Sequence, residues 1–280
     1  MSVQQYDRIG EAFEGFKSLP LIRYGEVPSF LGMVGDVSGR SVLDLACGTG
    51  FYSREFKRRG ATEVYGVDIS VEMIAAARKI EERDPLGVRY EVGDVAELPP
   101  LERRFDIALA VQCLNYAEDI AALERMCRNI HRSLVPGGEF FVLAQRPDYG
   151  FDCPSLDKYG FRCEPTGEEA EPGPRARVTA LLDPEPISIV STVPRRRSTR
   201  RACGPAASAR WSGCRCRCRK RASASTARTS GRTSTRSRRW RCCAAVPDRP
   251  ALSCVTGTDR PAVGRPVPCL PRSRWGPGVP

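Results

Sequence analysis

The chain predicts an α/β protein built on a doubly wound, mainly parallel sheet, and three observations carry that prediction. Apolar runs of strand length alternate with segments of helical period over residues 1–190. One run, Ser41-Val42-Leu43-Asp44-Leu45, passes into a glycine turn, Cys47-Gly48-Thr49-Gly50, and then into a helix start at Phe51. Two later runs end in carboxylates, Asp68, 24 residues after Asp44, and Asp94, another 26 residues on.

The elements follow in order. Helices are expected near 5–18 and 26–35, and the first strand near 41–46. Gly48 and Gly50 let the backbone approach a ligand where a Cβ would collide, so strand, turn and following helix (51–59) form a cofactor cradle. Thr62 to Asp68 reads as the second strand, centred on 63–67. Helix 71–82 follows, with an N-cap from the Asp68-Ile69-Ser70 segment and a core face of Met73, Ile74, Ala77 and Ile80. Further strands are expected at 88–92, 105–110 and 139–144, with a helix over 119–134 before the last. Residues 147–176, rich in Pro, Gly and charge, read as a weakly structured substrate loop, and Arg177 to Leu182 as one more strand.

The acids decide which cofactor suits the cradle. Dinucleotide sites place a pyrophosphate at the helix N-terminus and read G-x-G-x-x-G. Here the order is Asp44-x-x-x-Gly48-x-Gly50, and position 53 is Ser53. A carboxylate beside the turn repels pyrophosphate and attracts an ammonium group. S-adenosylmethionine carries an ammonium and a sulfonium and no phosphate. Asp68, at the end of the second strand, can take both ribose hydroxyls, and Asp94 can accept from the adenine amino group while Val95 packs on the ring.

On these residues, 40–145 resembles a class I S-adenosylmethionine-dependent methyltransferase. Phe105 to Ala110 resembles the fourth strand of that Rossmann-like family, Val111 to Tyr116 the segment bordering cofactor and substrate, and Leu134 to Phe140 the turn into the fifth strand. Tyr6-Asp7-Arg8-Ile9 resembles the lid helix of small-molecule members, which makes residues 1–35 a lid region. The wording of residues 1–190 is most similar to toxoflavin synthase-like small-molecule methyltransferases.

The resemblance implies S-adenosyl-L-methionine as cofactor and methyl transfer to O or N of a small-molecule acceptor, in specialised metabolism. It implies a cofactor set of Tyr6, Asp44, Ala46, Gly48, Gly50, Asp68, Ile69, Asp94, Val95, Gln112 and Leu114. Asn115 and Tyr116 stand near enough to meet cofactor or acceptor. No catalytic base is identified; the sole histidine, His131, is placed on a helix away from the cradle, and no metal site is expected.

Composition changes near residue 190. Residues 1–190 hold 22 Lys+Arg against 31 Asp+Glu, a net of −9, whereas 191–280 hold 22 against 2, a net of +20. The overall +11 is therefore a property of the tail, and the acidic body gives no reason to expect a nucleic-acid partner. The tail has 21 Arg, eight of the 13 Cys, all three Trp and, as large aliphatics besides valine, only Leu252 and Leu270. So little apolar surface predicts disorder. It matches what GC-rich DNA yields when read out of frame, in preference to an Arg-rich nucleic-acid arm or a metal segment at Cys214, Cys216 and Cys218. A sheet lacking its last two strands is expected, since those normally lie in this stretch. Two alternatives follow: a degenerate, non-catalytic cofactor-binding protein, and a nucleic-acid methyltransferase using the basic tail.

The five body cysteines, Cys47, Cys113, Cys127, Cys153 and Cys163, have no motif spacing and suit a reducing cytoplasm. No signal pattern opens the chain and no apolar run reaches membrane-spanning length, so no membrane partner is expected.

Overall fold

The computed structural model describes residues 10–146, 149–152 and 155–203, with the backbone of 210–211 and 240–244. All of these lie in one compact unit, Met1–Pro250. Its centre is a sheet of five parallel strands in the order β3-β2-β1-β4-β5: β1 Ser41–Leu45, β2 Glu63–Asp68, β3 Arg89–Val92, β4 Phe105–Val111 and β5 Leu134–Ala144. The chain runs outward from β1 to β3, then returns to β4 beside β1. The topological switch point therefore falls between β1 and β4, where open α/β sheets bind ligands.

Helices α1 Val27–Val34, α2 Phe51–Arg58, α3 Val71–Arg83 and α4 Ile120–Arg132 flank the sheet. The alternation of side chains along each strand sorts the core into two layers. Val42, Val64, Ile107, Leu109, Phe141 and Leu143 pack with Phe30 of α1, Phe56 of α2 and Ile74 of α3. Leu43, Leu45, Ala108, Ala110, Phe140 and Val142 pack with Leu123 and Ile130 of α4. Ser70 caps α3 by accepting from the Met73 N–H at 3.2 Å, and Asp119 caps α4 by accepting from the Ala122 N–H at 2.6 Å.

Three features depart from the sequence reading. The helix expected over 5–18 is a run of 3-10 turns in its described part, Gly10–Ser18, followed by a π-helical turn at Ile22–Glu26. The stretch expected to be a weak loop from 147 to 176 forms strands from Phe161 on. β6 Phe161–Ala170, β7 Gly173–Ala180 and β8 Ile187–Thr192 make a three-stranded antiparallel sheet, with the chain crossing from β7 to β8 through 181–186. The apolar–charged alternation of Phe161-Arg162-Cys163-Glu164 specifies β6 at its start. Pro165 is tolerated because β6 is an edge strand and its register breaks between Pro165 and Glu169.

The third departure lies beyond residue 190. Ordered structure continues through β8 into α5, Arg196–Cys203, which packs on α4 with Ser198 buried and Arg201 paired to Glu124 at 3.1 Å. Two short backbone segments, β10 Trp240–Ala244 beside β5 and β9 Arg210–Trp211 outside it, extend the sheet in parallel at the edge where the sequence reading expected no strands. The Cys214, Cys216 and Cys218 triplet lies outside the described residues. Among the described residues no helix is long and apolar enough to cross a membrane, and no group of His, Cys, Asp and Glu could hold a metal.

Candidate cofactor and acceptor cavity

The carboxyl ends of β1, β2 and β3 are stitched together through Asp68. The Cys47 N–H donates to Val67 O at 3.1 Å, and the Gly48 N–H donates to Asp68 Oδ2 at 2.8 Å. Asp68 Oδ1 accepts from the Ser70 N–H at 2.9 Å, and its carbonyl accepts from the Gly93 N–H at 2.8 Å. One carboxylate thus ties the glycine turn to the second strand, and its own peptide ties in the third.

Asp44 is 1 % exposed, and its Oδ2 accepts from Ser53 Oγ at 2.6 Å. The residue that breaks the dinucleotide pattern therefore serves as the hydrogen-bond partner of the first acid. Burial pushes the Asp44 carboxyl up to about 6, against the opposing pull of that hydrogen bond and of Lys17. Asp94 Oδ1 accepts from the Ala96 N–H at 2.7 Å, and Asn129 Nδ2 holds Val95 O at 2.9 Å.

The turn is tight. Ala46 and Gln112, each just past the end of a strand, are left-handed at φ 57° and 52°, as are Gly48 at 56° and Gly50 at 82°. A Cβ on Gly50 would lie 2.3 Å from Tyr90 Oη, so this glycine is required by the side chain beneath it. Arg54, buried in α2, donates to Thr49 O at 2.5 Å and pairs with Glu14 at 3.2 Å, fastening the N-terminal segment to the turn.

These elements border one cavity of about 380 Å³. Asp44, Ala46, Gly48, Asp68, Ile69, Asp94, Val95 and Gln112 line it, and so do Asn115 and Tyr116. Met73, read from its spacing as core, is both buried and part of the wall. Gly50 stands behind the wall, where it permits the turn. Leu114, in the single 3-10 turn Leu114–Tyr116, is buried in the layer between the sheet and α4 and is not among the lining residues, though its neighbours Cys113 and Asn115 are. Tyr6 and Cys153 lie outside the described residues. His131 is exposed and is not among the lining residues.

Sequence reasoning missed much of the enclosure. Phe13, Phe16, Lys17 and Glu26 come from the N-terminal segment. Lys17 Nζ sits 4.8 Å from the Tyr52 ring centre and 5.1 Å from that of Phe51. Buried Glu26 accepts from Tyr52 Oη at 3.0 Å. Leu156, Phe161, Cys163, Val178, Ile189 and Ser191 come from the antiparallel sheet and its approach. Of these, Val178 alone fell in an element read from the sequence, the strand expected from Arg177 to Leu182. Burial raises the Cys47 and Cys113 thiols well above their ordinary range and so favours their neutral form.

The donor set suits a ligand with positive charge and no phosphate. Six carboxylates, Glu26, Asp44, Asp68, Asp94, Glu97 and Glu118, line the cavity, and Lys17 and Arg125 are the cations among its described lining residues. A pyrophosphate would meet Asp44 and Asp68 on the very turn that should cradle it; the ammonium and sulfonium of S-adenosylmethionine would not.

Comparison with known proteins agrees. A methyltransferase domain family matches residues 42–138. Ubiquinone biosynthesis O-methyltransferases are similar over the same region: that of Bradyrhizobium sp. (strain ORS 278) is 37 % identical over 106 residues, 38 % of this chain and 40 % of that protein. That of Coxiella burnetii (strain Dugway 5J108-111) is 33 % identical over 105 residues, 38 % and 43 % respectively. The chain thus spans about 40 % of the length of these curated relatives. The CcbJ methyltransferase from Streptomyces caelestis shares the fold, with a TM-score of 0.55 at 20 % identity over 72 % of this chain and 86 % of that one. The strand order, the switch-point cavity and the row of strand-end acids are those of a Rossmann-like methyltransferase fold, and residues 42–138 match a methyltransferase domain.

Proposed function

We propose that this chain transfers a methyl group from S-adenosylmethionine to an oxygen or nitrogen of a small molecule, with O-methylation favoured by the names of its curated relatives. The observation that carries the reading is a single cavity with acids along one rim and hydrocarbon across from it. In this reading Asp44 and Gly48 hold the amino-acid end of the cofactor, Asp68 the ribose, Asp94 and Val95 the adenine, and Gln112 borders the methionine end. When bound, the cofactor supplies a methyl carbon already activated by a sulfonium. The protein's share is then to align the acceptor lone pair with that carbon and keep bulk water away. The acceptor gives up one proton per methyl transferred, and no histidine stands among the described lining residues to take it.

The resemblance supports specialised metabolism as the setting, and the acidic body supports a small molecule over a nucleic acid as partner. Incubating the full chain with methyl-labelled S-adenosylmethionine and a panel of phenols and amines tests the proposal. Label should appear in a small-molecule product, and S-adenosylhomocysteine should form with it in equal amount. Cofactor binding without turnover across the panel favours the degenerate reading.

A further inference from the structure

Asn115 is 1 % exposed, lines the cavity, and its Oδ1 takes no hydrogen bond. A buried amide oxygen left without a donor is costly to the fold, and such a group calls for an explanation. A second one lies close in the fold. Gln145, just past the end of β5, donates from Nε2 to Ser191 Oγ of β8 at 3.2 Å, while its Oε1 is buried without a partner. The turn carrying Asn115 packs against β8, so both amides stand at the seam where the parallel and antiparallel sheets meet.

The walls beyond the seam are Leu156, Phe161, Val178 and Ile189, with Cys163, whose thiol burial pushes up to about 11 and so keeps neutral. The lining residues contributed by 156–191 include no charged side chain, whereas the cofactor rim includes several. Apolar walls with two unpaired carbonyl acceptors suit a neutral ligand that is largely hydrocarbon and brings its own hydrogen-bond donor. An anionic ligand would find no cation among the lining residues of 156–191 to offset its charge.

We infer that the seam is the acceptor subsite and that it selects an uncharged, mainly apolar molecule whose O–H or N–H donates to Asn115 Oδ1, with Gln145 as the second acceptor. This rests on the methyltransferase reading for its purpose and on the seam's geometry for its chemistry. Donation to Asn115 would also turn the acceptor's proton away from its attacking lone pair, so Asn115 is a positioning residue as well as a selective one.

The test titrates the full chain, saturated with S-adenosylhomocysteine, with three probes sharing one ring. They are 2-methoxyphenol, 1,2-dimethoxybenzene, which lacks the donor, and 4-hydroxy-3-methoxybenzoate, which adds a carboxylate. Calorimetry should show 2-methoxyphenol binding about tenfold more tightly than either of the others, the worth of one well-made buried hydrogen bond. Asn115→Leu should erase the preference over 1,2-dimethoxybenzene and leave S-adenosylhomocysteine affinity within about twofold. Gln145→Met, at a half-buried position less able to upset folding, should reduce the preference about threefold.

Equal or tighter binding of the benzoate overturns the inference, as does an unchanged preference in both variants. It is also overturned if Asn115→Leu weakens S-adenosylhomocysteine and spares 2-methoxyphenol, which would assign Asn115 to the cofactor. If the unmodified chain binds no S-adenosylhomocysteine, the methyltransferase reading fails, and the same titrations on the free protein still decide the subsite.

Discussion

Along the rim of the parallel sheet, Asp44, Asp68 and Asp94 face the cavity from three successive strand ends; across from them, Leu156, Phe161, Val178 and Ile189 present hydrocarbon from the antiparallel sheet and its approach. The rim is held by backbone hydrogen bonds that run from the glycine turn through Asp68 to Gly93, so its geometry is set by the sheet itself. The opposite wall is set by side-chain packing of Phe16, Leu19, Ile22, Leu156, Phe161 and Ala180. A wall made of packing can change its residues and keep its fold, whereas a rim made of backbone and carboxylates cannot. One side suits a fixed cofactor, the other an acceptor that can differ between relatives.

The largest expected effect breaks the rim at its middle. Asp68→Ala removes the acceptor for both the Gly48 and Ser70 N–H groups as well as a carboxylate facing the cavity. Calorimetry should find S-adenosylhomocysteine affinity reduced by at least about a hundredfold, consistent with losing several hydrogen bonds to a charged group. Binding of 2-methoxyphenol should survive. Retained cofactor affinity would place the cofactor elsewhere and end the contrast between the two walls.

Gly50→Ala acts on the fold beneath the same rim. The new Cβ meets Tyr90 Oη at 2.3 Å in a backbone held at φ 82°. Denaturant unfolding should report a loss of about 3 kcal/mol from overpacking and left-handed strain together.

The smallest effect is set by pH. With Asp44 titrating near 6 because burial disfavours its charge, the free protein holds it ionised above that value and protonated below. A cationic cofactor favours the ionised form. Below about pH 6 binding must first expel a proton, so affinity should fall toward about tenfold per pH unit; above it, affinity should be flat. In the ligand-free protein the sign is opposite: a carboxyl whose folded value exceeds its unfolded one favours the folded state as pH drops from 6 toward 3.8. Asp44→Asn should therefore raise the melting temperature at pH 7.5 while it weakens the cofactor. A pH-independent affinity would mean that the rim does not face a cation.

The five parallel strands and their acids were legible because the central strands β1 and β4 are buried on both faces and read as apolar runs, and because turn glycines and strand-end carboxylates stand at spacings set by one helix and one strand. Of the antiparallel sheet only β7 was legible, in the strand read from Arg177 to Leu182. β6 carries Glu164, Glu168 and Glu169 on a solvent-facing edge with Pro165 inside it, and that composition reads as loop until its partners β7 and β8 are known. The sequence does not tell which side chains of the 3-10 turn Leu114–Tyr116 line the cavity: Asn115 and Tyr116 do, while Leu114 packs in the core layer. Lys17 and Glu26 had no local signal, since their place at the cavity comes from how 10–26 folds over Phe51 and Tyr52.

The tip of the β6–β7 hairpin is gripped by the chain leaving β8. Val193 N–H donates to Pro174 O at 2.8 Å, Arg195 N–H donates to Pro172 O at 2.7 Å, and a Cβ on Gly173 would lie 2.0 Å from Val193 O. Glu171 beside that tip accepts from the Ile120 N–H at 3.2 Å, pinning the sheet to the start of α4. So fastened at both its tip and its exit, the antiparallel sheet is tied to the start of α4, and the wall it lends to the cavity keeps its place relative to that helix.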